Sequence, residues 1–339
     1  MTLRIRTLAA LAICMIGAAS LVAQALQING AGATFPYPIY SKWFSEYTKV
    51  NPKAQINYQS QGSGAGIKQL TSRTVFFGAT DAPMTPDQMA AAPGKILHLP
   101  TVLGAVVPVY NIPGVKQELK FTGQVLANIT LGKITKWNDP AITALNAGVN
   151  LPNTDIVVAH RSDGSGTTFI WVDYLSKVSP EFQKSVGVGT SVKWPVGVGG
   201  KGNEGVSGLV SQTPGALGYV ELIYALQNNI SYGAVQNAGG SFVRASIESV
   251  TAAAAAAKVP EDFRVSITNP PGKDAYPIAS FTWILLYEEP QDKAQGKIMV
   301  DFMKWALTDG QKFAKELGYA PLPKTLVDME LKALAKVKL

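Results

Sequence analysis

The chain of 339 residues has a single cysteine, Cys14, which lies inside an apolar stretch at the N-terminus. If that stretch is removed, the remaining chain has no thiol, so it can form neither a disulfide nor a cysteine metal site. This excludes the small secreted domains that depend on disulfides for stability. With 47% hydrophobic and 16% charged residues, the composition instead indicates a globular protein that relies on a hydrophobic core.

Histidine is almost as scarce, with only His98 and His160 in the chain. No H-E-x-x-H motif or other histidine cluster is present, and no serine stands in the G-x-S-x-G pattern of esterase nucleophiles. His160 precedes an arginine and could act as a general base, but a single histidine after a strand is more often structural. We therefore predict no catalytic residue, no metal ion and no cofactor.

Clusters of basic residues are also absent. Lys and Arg outnumber Asp and Glu by 30 to 23, yet no run of five or more occurs. The formal charge of +7 falls by two, to +5, when Arg4 and Arg6 are removed. Such scattered charge mildly favours small anionic ligands and gives little support for nucleic-acid binding, which calls for a basic stripe.

Long apolar runs are missing after residue 22, so no later stretch could cross a bilayer. At the N-terminus, Arg4 and Arg6 precede an apolar run over residues 8–22, and Ala23-Gln24-Ala25 follows it. This order of charges, apolar run and small residues predicts a secretory signal peptide over residues 1–25. An uncleaved membrane anchor is the alternative, but the run is shorter than the ~20 residues of a typical span.

The most informative feature that is present is a glycine-rich turn over residues 160–169. A β-branched run at 155–159 predicts a strand before the turn, and apolar residues at helical spacing predict a helix after it. The free backbone N–H groups of such a turn and the positive end of the helix dipole favour an anion.

The side chains of this turn fit the same interpretation. Arg161 supplies a planar cation suited to tetrahedral oxyanions, and Asp163, two residues later, would hold it in one orientation. Ser165 and Thr167 add hydroxyl donors. The alternative is an ordinary helix cap in which Asp and Ser serve only the helix end.

Two more glycine-rich turns precede helices. Gly30-Ala-Gly-Ala-Thr34 follows a predicted strand at 26–29, and residues 62–66 follow one at 55–58. Neither turn has the spacing of a Walker loop or of a dinucleotide-binding loop. Thr34 can offer a hydroxyl and a helix cap. A plain flexible turn is the alternative for each, and the repetition of the pattern favours a functional one.

Asp81 follows an apolar strand predicted at 75–80. Open α/β sheets bind ligands at the carboxyl ends of their strands, so this position favours a ligand contact. The alternative is the Asp of an Asp-x-Pro turn, because Pro83 comes two residues later.

Strands and helices alternate over about 300 residues, which predicts an α/β protein. Two long apolar runs, near 101–110 and 277–287, could each carry the chain between two lobes. We therefore expect lobe I to comprise residues 26–105 and 280–339, and lobe II residues 106–279. The ligand would then bind in the cleft between the lobes.

Seven segments give the chain a resemblance to the periplasmic phosphate-binding proteins of bacterial ABC-type phosphate importers. The resemblance covers nearly the whole chain after the predicted signal peptide. Its segments are Gly30-Ala-Gly-Ala-Thr-Phe-Pro36, Tyr58-Gln-x-x-Gly-Ser63, Phe77-Gly-Ala-Thr-Asp-Ala-Pro83, Arg161-x-Asp-Gly-Ser-Gly-Thr167, Lys193-Trp-Pro195, Gly199-Gly-Lys-Gly-Asn203 and Gly218-Tyr-Val-Glu221. It implies a type II periplasmic binding protein fold, in which two α/β lobes joined by two strands close on one phosphate.

The resemblance also implies roles for individual residues. Thr34 and Ser63 would donate hydroxyls, Phe35 a backbone N–H, and Asp81 would accept the proton of the phosphate. Arg161 would be the cationic partner and Asp163 would steady it. The full set of ligand-binding residues implied is Ala33, Thr34, Phe35, Ser63, Asp81, Arg161, Asp163, Ser165, Gly166 and Thr167.

The function that follows is an extracytoplasmic solute-binding protein, not an enzyme, that delivers inorganic phosphate to the permease subunits of an ABC-type importer. We expect a periplasmic monomer that does not bind nucleic acid. The alternatives are an exported hydrolase of phosphate esters and a binding protein for another tetrahedral oxyanion.

Overall fold

The computed structural model describes residues 25–339, so the predicted signal peptide and Cys14 lie outside the described residues, apart from Ala25. The described part is an α/β structure, as the alternating pattern predicts. Its strands are β1 (Leu26–Gly32), β2 (Ala54–Ser60), β3 (Phe77–Thr80), β4 (Ile96–Asn111), β5 (Lys120–Phe121), β6 (Val157–Arg161), β7 (Val198–Gly200), β8 (Ala216–Glu221), β9 (Ser231–Tyr232), β10 (Ala234–Gln236), β11 (Phe242–Val243) and β12 (Ala279–Tyr287).

Helices lie between most of these strands. They are α1 (Tyr37–Val50), α2 (Ser63–Thr71), α3 (Pro86–Ala91), α4 (Gly123–Thr130), α5 (Pro140–Thr143), α6 (Gly166–Val178), α7 (Pro180–Ser185), α8 (Gly202–Gln212), α9 (Leu222–Gln227), α10 (Ile247–Ala255), α11 (Lys293–Leu307) and α12 (Lys324–Leu334). Two short 3₁₀ segments, Asp309–Phe313 and Lys315–Leu317, connect the last two helices.

One large sheet organises the fold, with the strand order β2-β1-β3-β12-β4-β8-β6-β7 and β9 paired to β4. Strands β1, β2 and β3 pair in parallel, as do β6, β7 and β8, whereas β4 and β12 run antiparallel to their neighbours. A smaller sheet has the order β11-β10-β5. Two parallel groups are therefore joined through two central antiparallel strands.

Strand β4 connects the two groups because it is long enough to belong to both. Its residues 96–105 pair with β12, and its residues 106–111 pair with β8. Almost every side chain of β4 and all nine of β12 are buried, which explains why both read as continuous apolar runs rather than alternating patterns. The two long runs in the sequence are thus confirmed as central strands.

Helix α1 shows how the apolar spacing determines local structure. Its buried residues include Tyr40, Trp43, Phe44 and Tyr47, whose i, i+3, i+4 and i+7 spacing predicts a helix. Their rings pack on the large sheet and on α11; the ring centroids of Tyr47 and Phe302, for example, lie 5.3 Å apart. Each such aromatic pair adds about 0.5–1.5 kcal/mol beyond the area that it buries.

The composition of the alanine run at 252–257 predicts an exposed helix, and the structure agrees with this only in part. The helix forms, but α10 ends at Ala255 and packs against β4 and β12, so that Ala253 and Ala254 are buried. A run of identical residues carries no contrast between apolar and polar positions, so its buried face cannot be read from the pattern.

Within residues 25–339, no helix combines the length and the apolar character needed to span a membrane. The same residues contain no group of three or more His, Cys, Asp or Glu side chains placed to hold a metal ion.

Glu330 is a fully buried carboxyl group on α12, and neither of its oxygens has a hydrogen-bond partner among the described residues. Burial raises the pKa of Glu330 well above its usual value of 4.5. The folded chain therefore binds more protons than the unfolded chain above pH 4.5, and stability falls as the pH rises.

We predict that Glu330→Gln, which cannot ionise, removes this loss. Between pH 5 and pH 8 the free energy of unfolding of the wild type should fall by more than about 1 kcal/mol relative to that of the variant, since each pKa unit corresponds to about 1.36 kcal/mol. Urea unfolding at both pH values measures this. Glu316→Gln, at an exposed position, is the matched control and should show no such difference. Parallel pH profiles for Glu330→Gln and the wild type would contradict the prediction.

Candidate functional site

The residues predicted to bind the anion come together in one buried cluster. Thr34 follows β1, Asp81 follows β3, and Arg161 ends β6, so all three stand at carboxyl ends of strands. Ser63 begins α2, and Thr167 lies in the first turn of α6. None of these five residues is more than 3% exposed. Groups separated by up to 133 positions in the chain are thus excluded from water together.

Thr34 lies in the turn between β1 and α1. Its Oγ1 accepts hydrogen bonds from the backbone N–H and the side-chain Nδ2 of Asn203, at 3.2 and 2.7 Å. Gly32 makes the turn possible, because its φ is +147° and an added Cβ would lie 2.1 Å from the carbonyl oxygen of Ala79. The N–H of Ala33 bonds to that carbonyl at 3.0 Å. Phe35 is fully buried, and its carbonyl oxygen accepts from the hydroxyl of Tyr319 at 2.6 Å.

The hydroxyl oxygen of Ser63 connects the turn after β3 with the first turn of α6. The Oγ accepts from the backbone N–H of Asp81 at 3.1 Å and from that of Gly166 at 3.0 Å. A side chain at position 166 would not fit, since an added Cβ would lie 2.4 Å from the Oγ of Ser63. The first turn of α6 therefore packs directly against the first residue of α2.

Asp81 has one strongly bonded carboxylate oxygen and one weakly bonded oxygen. Oδ1 accepts from the hydroxyl of Thr282 at 2.8 Å, whereas the Oγ of Ser63 lies 3.4 Å from Oδ2. Burial raises the pKa of Asp81 to about 7, and the Thr282 hydrogen bond and the charge of Arg161 only partly oppose this. Near neutral pH the carboxyl group can therefore either accept a hydrogen bond or carry the proton itself.

Arg161 is held by the contact with Asp163 that the spacing predicts. Its Nε donates to Oδ1 of Asp163 at 2.8 Å, and one terminal nitrogen donates to Oδ2 at 2.5 Å. The other terminal nitrogen donates to Oγ1 of Thr167 at 3.2 Å. Although burial acts in the opposite direction, the hydrogen bonds and charge of Arg161 lower the pKa of Asp163 below its usual range. Oδ1 of Asp163 also accepts from the N–H of Gly202 at 3.0 Å, which fixes the carboxylate from the other side.

Ser165 and Gly166 start α6. The Oγ of Ser165 accepts from the N–H of Thr168 at 3.0 Å, so this oxygen caps the helix. The cap leaves the hydroxyl hydrogen of Ser165 able to donate. The positive end of the α6 dipole lies at this point, beside Arg161 and Asp81.

The structure also places residues in the cluster to which the sequence assigned no role. Asn203 bonds to both Thr34 and Thr167, Thr282 bonds to Asp81, and the hydroxyl of Tyr219 accepts from the backbone N–H of Arg161 at 3.1 Å. Asn203 and Tyr219 lie in segments that carried the resemblance, which was a signal for their importance. Nothing in the sequence pattern of β12 distinguished Thr282 from its neighbours.

The two histidines take no part in this cluster. His98 is buried, its Nε2 accepts from the N–H of Met84 at 3.1 Å, and burial lowers its pKa to about 3. The ring of His160 stacks on that of Trp194, with centroids 5.0 Å apart, and its Nδ1 lies 3.0 Å from the carbonyl oxygen of Arg161. Both rings therefore have structural contacts, and neither lies at the hydroxyl groups of the cluster.

We predict that Asp81 makes the stability of the anion-free protein depend on pH. Its pKa is 3.8 when unperturbed and about 7 in the folded chain, so stability falls as the pH rises through that interval. Between pH 5 and pH 8 the free energy of unfolding of the wild type should fall by at least about 1 kcal/mol relative to that of Asp81→Asn. Urea unfolding in buffers free of phosphate and sulfate measures the difference. Asp87→Asn, at an exposed position, is the control, and equal slopes for Asp81→Asn and the wild type would refute the prediction.

Comparisons with known proteins agree with the sequence resemblance. A family model described as a PBP superfamily domain matches residues 18–309. The phosphate-binding protein PstS of Xylella fastidiosa (strain 9a5c) is 49% identical over 307 residues, which cover 90% of this chain and 84% of that protein. The phosphate-binding protein PstS of Pasteurella multocida (strain Pm70) is 48% identical over 311 residues, which cover 91% of this chain and 90% of that protein.

A solved structure shows the same fold. The high-affinity periplasmic phosphate-binding protein PfluDING, bound with phosphate, has a TM-score of 0.73 over 89% of this chain and 92% of its own. Its sequence identity is 21%, so the likeness concerns the fold. The type II periplasmic binding protein fold predicted from the sequence is confirmed.

Proposed function

The chain belongs to the PstS phosphate-binding proteins of the PBP superfamily, and we propose that it captures inorganic phosphate outside the cytoplasm and delivers it to an ABC-type import permease. One observation carries the choice of ligand. A buried guanidinium, held by Asp163, lies among the hydroxyl groups of Ser63, Thr34 and Thr167 and beside a carboxyl group that can accept a proton. This set of groups suits a small oxyanion that carries hydrogen.

The proposed ligand-binding residues follow from the types of group that phosphate needs. Hydroxyl and backbone N–H donors contact its oxygens, Arg161 adds charge-assisted N–H donors, and Asp81 accepts a hydrogen bond from its P–OH group. Asp163 acts through Arg161. The proposed set is Ala33, Thr34, Phe35, Ser63, Asp81, Arg161, Asp163, Ser165, Gly166 and Thr167.

We further propose that residues 26–105 with 280–339 form one lobe and residues 106–279 the other. The change of partner along β4, from β12 up to residue 105 to β8 from residue 106, supports this division. Direct hydrogen bonds would then cross between the lobes, among them those of Gly166 N–H to Ser63, of Asn203 to Thr34, and of Gly64 N–H to the carbonyl oxygen of Gly164 at 2.9 Å. These bonds favour a closed arrangement around the ligand, which binding would stabilise further.

The same proposal makes the chain a transport component and not an enzyme. The contacts of His98 and His160 support this, because neither ring is placed as a base at the hydroxyl groups of the cluster. A periplasmic location, a monomeric state and an encounter with the permease subunits complete the proposal. The relatives are named as phosphate-binding proteins, which favours transport over phosphate-ester hydrolysis.

Isothermal titration calorimetry of the chain from Leu26 onward tests the proposal directly. We expect saturable binding of phosphate with one site, and much weaker binding of sulfate and of a phosphate monoester. A chromogenic phosphate ester should not be hydrolysed. Preference for sulfate would support a different oxyanion, and turnover of the ester would support the hydrolase; either result would overturn the proposal.

A second prediction concerns the discrimination between phosphate and sulfate. An ionised Asp81 can accept from a P–OH group, but against sulfate it meets only acceptors and like charge. At pH 8, above the pKa of about 7, Asp81→Asn should therefore narrow the preference for phosphate by at least about tenfold, or about 1.4 kcal/mol. Titrations with both anions at one ionic strength give the ratio.

The wild-type preference should also weaken from pH 8 to pH 6, because a protonated Asp81 can donate to sulfate. Asp87→Asn is again the matched control. If Asp81→Asn leaves the phosphate-to-sulfate ratio unchanged, Asp81 is a turn residue and the discrimination lies elsewhere.

A further inference from the structure

Asn203 is a fully buried side chain that contacts two of the proposed ligand-binding hydroxyls at once. Its Nδ2 donates to Oγ1 of Thr34 at 2.7 Å and to Oγ1 of Thr167 at 3.1 Å. Both hydrogens of the amide are therefore used, and each is directed at a different threonine. Thr34 lies in the turn after β1, and Thr167 lies in the first turn of α6.

The orientation of the Asn203 amide is determined by a third contact. The backbone N–H of Glu221 points at Oδ1 of Asn203, at 2.9 Å. A backbone N–H can only donate, so the atom facing it must be the oxygen. The other end of the amide is consequently the NH₂ group, and it must face the two threonines.

The threonine oxygens are saturated as acceptors. A hydroxyl oxygen has two lone pairs and one hydrogen. Thr34 receives the Nδ2 and the backbone N–H of Asn203, and Thr167 receives Nδ2 of Asn203 and a terminal nitrogen of Arg161. Amide and guanidinium nitrogens cannot reverse these bonds, because none of them has an acceptor lone pair. Each threonine hydrogen can then only be donated to a further group.

Ser63 is constrained in the same way without help from Asn203. Its Oγ accepts from the backbone N–H groups of Asp81 and Gly166, so its hydrogen must also be donated. The nearest carboxylate oxygen, Oδ2 of Asp81, lies 3.4 Å away, which is long for a hydroxyl hydrogen bond. All three hydroxyls are thus oriented as donors before any ligand is considered.

We propose that Asn203 is a positioning residue that fixes the hydroxyl hydrogens of Thr34 and Thr167 in the direction of the anion, so that the site accepts only ligands with acceptor oxygens at these two positions. This inference rests on the proposed function. The specificity of the site would then depend on the direction of the two threonine hydroxyl hydrogens as well as on charge. A ligand that presents a donor to either threonine meets a hydrogen and no free lone pair, and the buried contact is lost.

The first test removes the amide. Asn203→Ala leaves each threonine oxygen with one N–H donor and one free lone pair, so its hydrogen is no longer held in one direction. Calorimetry should then show phosphate binding weakened by about tenfold, equivalent to about 1.4 kcal/mol. Asn111→Ala is the matched control: its amide also makes two hydrogen bonds, to the carbonyl oxygens of Val210 and Ser211, but contacts none of the cluster. The control should bind phosphate within about twofold of the wild type.

A double-mutant cycle separates this role from a merely structural one. In a chain that carries Thr34→Val and Thr167→Val, Asn203 has no hydroxyls to orient. Adding Asn203→Ala there should change phosphate affinity by less than about twofold. If Asn203 only supports the fold, its removal should cost the same in both backgrounds, and that additive result would overturn the inference.

Asn203→Asp covers the case in which the alanine variant does not fold. An aspartate keeps an oxygen for the N–H of Glu221, but its second oxygen accepts and does not donate, so the threonine hydrogens turn toward it. We expect phosphate affinity to fall by more than about tenfold at pH 8. Most of this loss should disappear in the chain that also carries Thr34→Val and Thr167→Val. Wild-type affinity for this variant would overturn the inference.

The wild-type titration distinguishes failure of this inference from failure of the proposed function. A wild type that binds phosphate while Asn203→Ala binds it equally well overturns the role of Asn203 alone. A wild type that binds neither phosphate, arsenate nor sulfate overturns the proposed function and this inference with it.

Discussion

The burial of one positive charge determines how the rest of the site is built. Arg161 is 3% exposed, and an unpaired guanidinium removed from water to that degree would cost several kcal/mol. Asp163 offsets this cost with two parallel hydrogen bonds, and it is itself fixed by the N–H of Gly202 at the start of α8. Because Arg161 and Asp163 already balance each other, the site has little net charge to offer an anion. The contribution of hydroxyls, backbone N–H groups and the α6 dipole therefore has to be large.

That requirement explains the arrangement of the strands. Short polar donors can act together only if their backbones approach closely. The turns after β1, β3 and β6 do so, because Ser63 accepts from Asp81 and Gly166 and the amide of Asn203 donates to Thr34 and Thr167. Close approach leaves no room for side chains at Gly32 and Gly166, where an added Cβ would lie within 2.4 Å of another atom. The glycine-rich turns are thus explained by packing between backbones as much as by the anion itself.

These packing relations set the limit of what the sequence could predict. Two β-branched or apolar runs predicted β4 and β12, and the two-residue spacing of Arg161 and Asp163 predicted their contact, because each signal is local. Asn203 and Thr282 depend on which strands become neighbours, and no local pattern encodes that order. The same holds for Glu330, whose burial follows from how α12 packs and not from its flanking residues. For the alanine run of α10 the composition predicts the helix but not its buried face, since a uniform pattern does not mark that face.

The location of the acidic proton, on Asp81 or on the ligand, completes the description of hydrogen bonding in the site. Thr34, Ser63 and Thr167 are saturated as acceptors, so the described contacts leave them as donors. Asp81 is the exception in the cluster, because its weakly bonded Oδ2 retains acceptor capacity. When Asp81 is ionised, a ligand that satisfies all of these groups needs acceptor oxygens toward the hydroxyls and one hydrogen toward Asp81. A fully deprotonated tetrahedral anion lacks that hydrogen, and a neutral alcohol has one acceptor oxygen where the three hydroxyls need several. With Asp81 ionised, hydrogen-bond direction in the proposed site would therefore favour a partly protonated oxyanion, even though the net charge of the cluster gives it little electrostatic preference.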